Sequence, residues 1–354
     1  MTAAEIAVGR LRPTRLRPRW LAVGIAAAVG AAFLGLLVGP VALGPSRIIG
    51  SLADRLPFVD LSGGLSSRET AILWELRVPR VILGGLVGAT LAVAGAAYQG
   101  VFRNPLADPY LLGAAAGAGL GATIAIAYGP APGSWPIDPL PIAAFTGALA
   151  GVGAAYALGR SGSRTRSSAT LILAGVAVAT FFTALQTYLQ QRESDTLREV
   201  YSWILGGLST TGWSDVILIL PYAALGGAVI LLHRRLLDVL TVGDDEAESL
   251  GVRAGRVRLL VVVAASLATA AAVSVSGLIA FVGIIVPHTI RLVIGSSYRV
   301  VLPLSILFGS AFLILTDLLA RTVMSPAEVP IGVVTAFFGA PFFIVVLRRS
   351  RRIV

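Results

Sequence analysis

The 354-residue sequence contains no cysteine and no lysine, and only two histidines, His233 and His288. Without cysteine there is no disulfide framework, no thiol nucleophile and no Cys/His zinc cage. Without lysine the phosphate-binding GxxxxGK[ST] loop cannot be written, which excludes self-contained nucleotide hydrolysis of that type. A lone histidine in any one region builds no metal cage either, so no metal site is expected. Charge is also scarce, at 13% of residues against 56% hydrophobic. No polar stretch exceeds about thirty residues, too little to clothe a soluble domain.

What the chain does have is apolar runs of spanning length, at 20–39, 78–100, 111–129, 139–159, 169–190, 214–233, 257–276, 277–294, 300–323 and 331–347. Each supplies the ~20 residues that a hydrocarbon core of about 30 Å demands. With a mean hydropathy of +0.85, they describe an all-α polytopic membrane protein of about ten transmembrane helices. A single transmembrane domain then covers 20–347, between basic segments at 1–19 and 348–354. The run 257–294 is too long for one crossing and is divided at Gly277. The apolar stretch after the first arginines is longer than the h-region of a cleaved signal peptide, and reads as a retained span.

The net charge of +10 suits nucleic acid or a membrane surface, and the positions of the arginines decide between them. With the N-terminus inside, the inner segments hold 20 of the 28 arginines and the outer ones 8. The positive-inside bias therefore places both termini in the cytoplasm, against membrane lipid, and removes nucleic acid as the reason for the charge.

Inside the second and third spans, Gly84, Gly88, Ala92 and Ala96, and then Gly113, Gly117 and Gly121, recur every fourth residue. Such rows let helices approach closely. Between the two spans stands "FRNPLADP", where Pro105 and Pro109 break the helix and Arg103, Asn104 and Asp108 are expected to satisfy the freed backbone groups. In the fifth span Thr180, Thr183, Thr187 and Gln190 share a face with Gln186 beside them, either lining an aqueous path or gluing helices together. The longest inner loop, 234–258, carries Asp244, Asp245, Glu246 and Glu248. Acids opening a short helix suit its dipole, and Gly251 is placed to end it. Ala247 and Leu250, three apart, are expected on one apolar face. At the outer mouth Arg77, Arg80 and Arg321 either snorkel or pair locally, Arg77 with Glu75 and Arg321 with Asp317. Glu328, in the turn before the last span, reads as a cap or brace, and His288 as a hydrogen-bonded structural residue.

The stretch "RVPRVILGGLVGATLAVAGAAYQGVFRNPLADPYLLG" at 77–113 resembles the signature of the FecCD-type permeases of ABC importers. The likeness continues in "VGDDEAESLGV" at 242–252, "GLIAFVGIIVPHTIRL" at 277–292, "RVVLPLS" at 299–305 and "DLLARTVMSPAEVPIGVVTAFFGAPFF" at 317–343. The resemblance implies a permease of the bacterial inner membrane, paired with a second copy of itself. It also implies two ATP-binding cassette subunits that hold ATP and Mg, and an extracytoplasmic binding protein. Cargo would be a ferric siderophore, haem or cobalamin, with no cofactor resident in this chain and no catalytic residue. By the same resemblance, Gly243, Asp244, Asp245, Glu246, Ala247, Leu250 and Gly251 form the coupling element that seats in the ATPase. Arg77, Arg80 and Arg321 match positions that grip glutamates of the binding protein, a task suited to the planar arginine fork. The resemblance also places the fifth span beside the translocation path. An ion-coupled secondary transporter is the rival, but it calls for acids at mid-membrane depth, and the spans hold none there. An importer of bare metal ions would need soft ligands that are missing.

Overall fold

The computed structural model describes residues 15–39, 41–55, 64–130, 138–161, 168–208 and 212–350. Parts of the basic terminal segments, 1–14 and 351–354, lie outside the described residues. Among the described residues the chain is helical throughout, with no strand. The helices are α1 (Pro18–Leu37), α2 (Pro45–Ala53), α3 (Ser67–Phe102), α4 (Ala114–Tyr128), α5 (Pro139–Ser161), α6 (Ser168–Arg192) and α7 (Leu197–Ile204). They continue as α8 (Trp213–Leu232), α9 (Arg234–Leu240), α10 (Asp244–Ser249), α11 (Ala254–Ser276), α12 (Val282–Val293), α13 (Tyr298–Thr322) and α14 (Ile331–Ser350).

A helix stands at each of the ten expected spans, as α1, α3 to α6, α8 and α11 to α14; among the described residues seven of them are long and apolar enough to cross a membrane, and α4, α12 and α14 are shorter apolar helices. Their ends follow local chemistry. α1 begins on Pro18, whose missing N–H falls among the unbonded amides of the first turn. α3 opens under a capping box in which Ser66 and Glu69 bond each other's backbone N–H. A π-helical stretch, Ile72–Arg77, follows, and in it Leu73 and Arg77 turn inward.

α3 is the core. Every residue from Thr90 to Phe102 is buried, among α8, α11, α12 and α13. In a bilayer, helix association gains little from the hydrophobic effect, so close backbone packing must hold the bundle. The rows of small residues provide it. A Cβ on Gly88 would lie 2.3 Å from the Gly309 carbonyl oxygen of α13, and one on Gly117 would lie 2.1 Å from that of Gly147 in α5. Gly113 departs from expectation: it stands before α4 with φ +79°, as the hinge into that helix rather than part of its row.

The division at Gly277 is real. α11 ends there with Gly277 at φ +64°, residues 277–281 are not helical, and Phe281 reaches φ +69° before α12 starts. α12 has only 12 residues, about 18 Å, too short to cross alone. The irregular stretch before it is packed against protein at Gly277 and Ile279 and half-buried at Leu278, Ala280 and Phe281, as non-helical backbone within a bilayer must be where it does not line a cavity. By contrast α6 is exposed along much of its length, at Leu173, Val176, Phe181 and Tyr188 among others.

Candidate functional site

Three regions hold the candidate residues: the outer mouth, a groove beside α6, and the cytoplasmic segment between α8 and α11.

At the outer mouth the three arginines behave differently. Arg77 is buried and its guanidinium donates to the carbonyls of Leu36, at 2.7 Å, and of Leu37 and Val41, so it closes the C-terminal end of α1. It does not pair with Glu75. Arg321 is also buried; it donates to the Gly35 carbonyl at 2.6 Å and lies 3.6 Å from Asp317, the local pair expected from the sequence. In this conformation neither presents a free fork to a partner, because carbonyls that α1 leaves unbonded have claimed both. Arg80 alone bridges inward and outward. Its Nε and Nη2 donate to Asp317, with a shortest distance of 2.8 Å. Nη1 and Nη2 also donate to the two oxygens of Glu328, each at 2.9 Å. Asp317 is almost wholly buried, whereas the Glu328 side chain is 39% exposed. The bond from Arg80 holds the Glu328 carboxyl below the ordinary carboxylate range. The pair therefore stays charged through neutral pH and opens only as pH falls below that range.

The groove begins at the break after α3. α3 ends at Phe102 and Arg103 takes a left-handed conformation, φ +50°. Asn104 and Asp108 then do what the sequence suggested: their Oδ1 atoms accept from the N–H of Leu106 and of Tyr110, each at 2.9 Å. Arg103 does not share that task, for its guanidinium runs out to Asp244. A non-glycine residue in this conformation costs about 1–2 kcal/mol, while a half-exposed ion pair returns at most about 1 kcal/mol. Stability alone gives no reason for an arginine here. Further along, Tyr110 donates its hydroxyl to the Ile279 carbonyl at 3.0 Å and accepts from the Ile279 N–H, bracing the irregular stretch between α11 and α12.

Asp108 and Tyr110 line a groove of about 660 Å³ with Thr180, Thr183 and Thr187 of α6. Thr180 and Thr187 bond back to the carbonyls of Val176 and Thr183. Their protons are thereby used, and methyls and oxygen lone pairs line the surface. Gln186 and Gln190 sit on the edge of a neighbouring cavity of about 440 Å³ and are buried. The polar stripe of α6 thus divides into an exposed threonine row and a buried glutamine pair. Buried polar residues of α3 matter as well: Gln99 donates to the Gly283 carbonyl at 3.0 Å and accepts from Arg291. His288 makes an edge contact with Phe342, ring centroids 5.8 Å apart.

The cytoplasmic segment folds as α9 and α10. Asp238 of α9 accepts from Ser297 and from the Tyr298 N–H, and so caps α13. α10 starts after Gly243, where a Cβ would collide with Glu246. It ends in a Schellman turn, with Gly251 N–H bonded to Glu248 and Val252 N–H to Ala247, each at 2.9 Å. Asp244 is tied inward, to Arg103 and at 3.0 Å to Arg258. Asp245, Glu246 and Glu248 face out. The expected apolar face needs correction. Ala247 is fully buried within its own chain while Leu250 is 69% exposed, because Leu250 stands beyond the helix at its cap and is turned outward. Val242, at 66%, is the second exposed apolar side chain of the segment and was not singled out by the sequence. No group of three His, Asp or Glu residues able to hold a metal occurs among the described residues.

The sequence profile of the FecCD transport family matches residues 27–349. The cobalamin import system permease of Halobacterium salinarum is 43% identical over 288 residues, 81% of this chain and 76% of its own. The Fe(3+)-citrate import system permease of Bacillus subtilis is 38% identical over 304 residues, 86% and 88% of the two chains. The hemin transport system permease of Yersinia pestis is 37% identical over 333 residues, 90% and 95%. Among solved structures, an inward-facing metal-chelate type ABC transporter superposes with a TM-score of 0.81 at 27% identity, covering 94% of this chain and 100% of that one. Apolar helices interrupted at 103–113 and 277–281, with an acidic helix on their cytoplasmic side, belong to a permease, and this chain is a member of the FecCD transport family of ABC importers.

Proposed function

We propose that this chain is the membrane-spanning subunit of an ATP-driven importer of the bacterial inner membrane that carries a bulky metal chelate, a ferric siderophore or haem. The observation that carries the reading is the cytoplasmic segment. A chain with no nucleotide-binding loop of its own presents Leu250 and Val242 beside exposed acids on that side. This suits a basic-rimmed groove on a separate subunit that holds ATP and Mg. Gly243, Asp244, Asp245, Glu246, Leu250 and Gly251 form the coupling element, with Ala247 anchoring it from within. The permease performs no covalent chemistry and acts as a homodimer. Exposed apolar residues of α6 face the second copy or the path. Cargo passes along the threonine row of Thr180, Thr183 and Thr187, with Gln186 and Gln190 behind it.

A binding protein docks at the outer mouth through Arg80, and Arg77 and Arg321 set the frame around it. Glu328 already grips the outer edge of the Arg80 fork with two parallel bonds, the geometry in which arginine takes a carboxylate. An incoming carboxylate therefore exchanges with Glu328 rather than meeting a free arginine. Cobalamin is the second cargo reading, favoured by the likeness to a cobalamin permease over most of both chains.

The test is ATP turnover of the purified complex in vesicles with binding protein loaded in turn with ferric hydroxamate, ferric citrate, haem and cobalamin. Stimulation by an iron chelate or haem is expected. Stimulation by cobalamin alone selects the second reading, and uptake driven by an ion gradient without ATP contradicts both.

A further inference from the structure

The coupling helix and the groove are far apart in the chain yet joined by an unbroken series of contacts. Arg258, in the second turn of α11, donates to both oxygens of Asp244, at 3.0 and 3.1 Å. Arg103, at the end of α3, donates to the same carboxylate. Asp244 is the first residue of α10, so one carboxylate joins three elements. Beyond Arg103 the loop is a string of closed turns: Ala107 N–H to Asn104, Leu111 N–H to Asp108 and Gly113 N–H to Tyr110. A loop bonded to itself at each step moves as one piece. Its far end is Tyr110, which lines the groove and holds Ile279 by two hydrogen bonds.

We infer that Arg103 and Asp244 form the link through which displacement of the coupling helix reaches the groove-lining loop. Arg103 touches neither nucleotide nor cargo and is a positioning residue. The left-handed backbone at Arg103 is consistent with this: glycine would fill the turn without strain, and it would also remove the only side chain that reaches Asp244 from the loop. The inference rests on the coupling reading of the cytoplasmic segment, and the experiment separates the two.

Because the chain has no cysteine, one introduced thiol reports cleanly. Ala184, an exposed groove residue, is replaced by cysteine in the full complex with its ATPase subunits. The rate of labelling by a water-soluble maleimide is then measured with and without ATP, which requires no knowledge of the cargo. The expected result is an ATP-driven change in rate of about fivefold or more that survives R103K. R103Q, D244N and the double variant R103Q/D244N abolish it to the same extent, and R103Q leaves ATP hydrolysis unchanged. An ATP response of normal size in R103Q overturns the link, as does a groove thiol that ignores ATP in the otherwise unaltered chain. Additive losses in the double variant also count against it, since they describe two separate structural defects. L250D is run in parallel. If L250D releases the ATPase while R103Q responds normally, only the link fails. If L250D keeps both the ATPase and the response, the coupling reading itself fails and takes the link with it.

Discussion

The two charged faces of this protein are built on opposite plans. At the outer mouth, Arg77 and Arg321 are buried and bound to carbonyls of α1, and Arg80 is shared between Asp317 and Glu328. On the cytoplasmic side Asp245, Glu246 and Glu248 lie open beside an exposed Leu250. Both faces carry the residue types expected at a docking surface. The inner face leaves Asp245, Glu246 and Glu248 open, with only Asp244 of α10 held by Arg103 and Arg258, while at the outer one Arg80 already holds Asp317 and Glu328 and must exchange a bond to gain a new one. Residue type therefore names a candidate surface, and burial and bonding decide how a partner can use it.

The sharpest way to break this contrast is to remove the buried acid. Asp317→Ala leaves Arg80 and Arg321 without their shared carboxylate, and should cost about 3–5 kcal/mol, read as a lowered unfolding temperature of the detergent-solubilised protein. An unaltered unfolding temperature would show that the outer network is not holding the mouth. On the inner face, Leu250→Asp should leave stability within about 0.5 kcal/mol but weaken ATPase binding by about 2 kcal/mol, measured by co-purification. Glu328→Gln tests the exchange directly. Loss of the resident carboxylate should tighten binding-protein docking several-fold, with the gain shrinking at high salt, and weaker docking would mean that Glu328 helps the partner instead. The smallest effect is expected from Asp245→Asn, which should change stability by less than about 0.5 kcal/mol; a large loss there would place the inner acids in a structural network after all.

Much of the architecture was legible in the sequence, for physical reasons. Run length marks a span because the bilayer sets it, and rows of small residues mark close contacts because nothing else lets two backbones meet. The break at Gly277 was readable from excess length alone. The orientation of Arg77 was not, because its partners are main-chain carbonyls, which have no signature in sequence; for Arg321 the Asp317 pair was readable, but the bond to the Gly35 carbonyl was not. Nor was the link from Arg103 to Asp244, 141 positions away; each stands out in its own segment, but the pairing belongs to tertiary structure. Ala247 and Leu250 were misplaced on one face because i, i+3 spacing holds only within a helix, and α10 stops at Ser249.

If the inner face is an open seat for a separate ATPase, a single thiol at Leu250→Cys reports its occupation. Labelling by a membrane-impermeant maleimide in inside-out vesicles should be fast for the permease alone and strongly suppressed once the ATPase subunits are bound. Equal labelling in both states would mean that the segment between α8 and α11 is not where the ATPase binds.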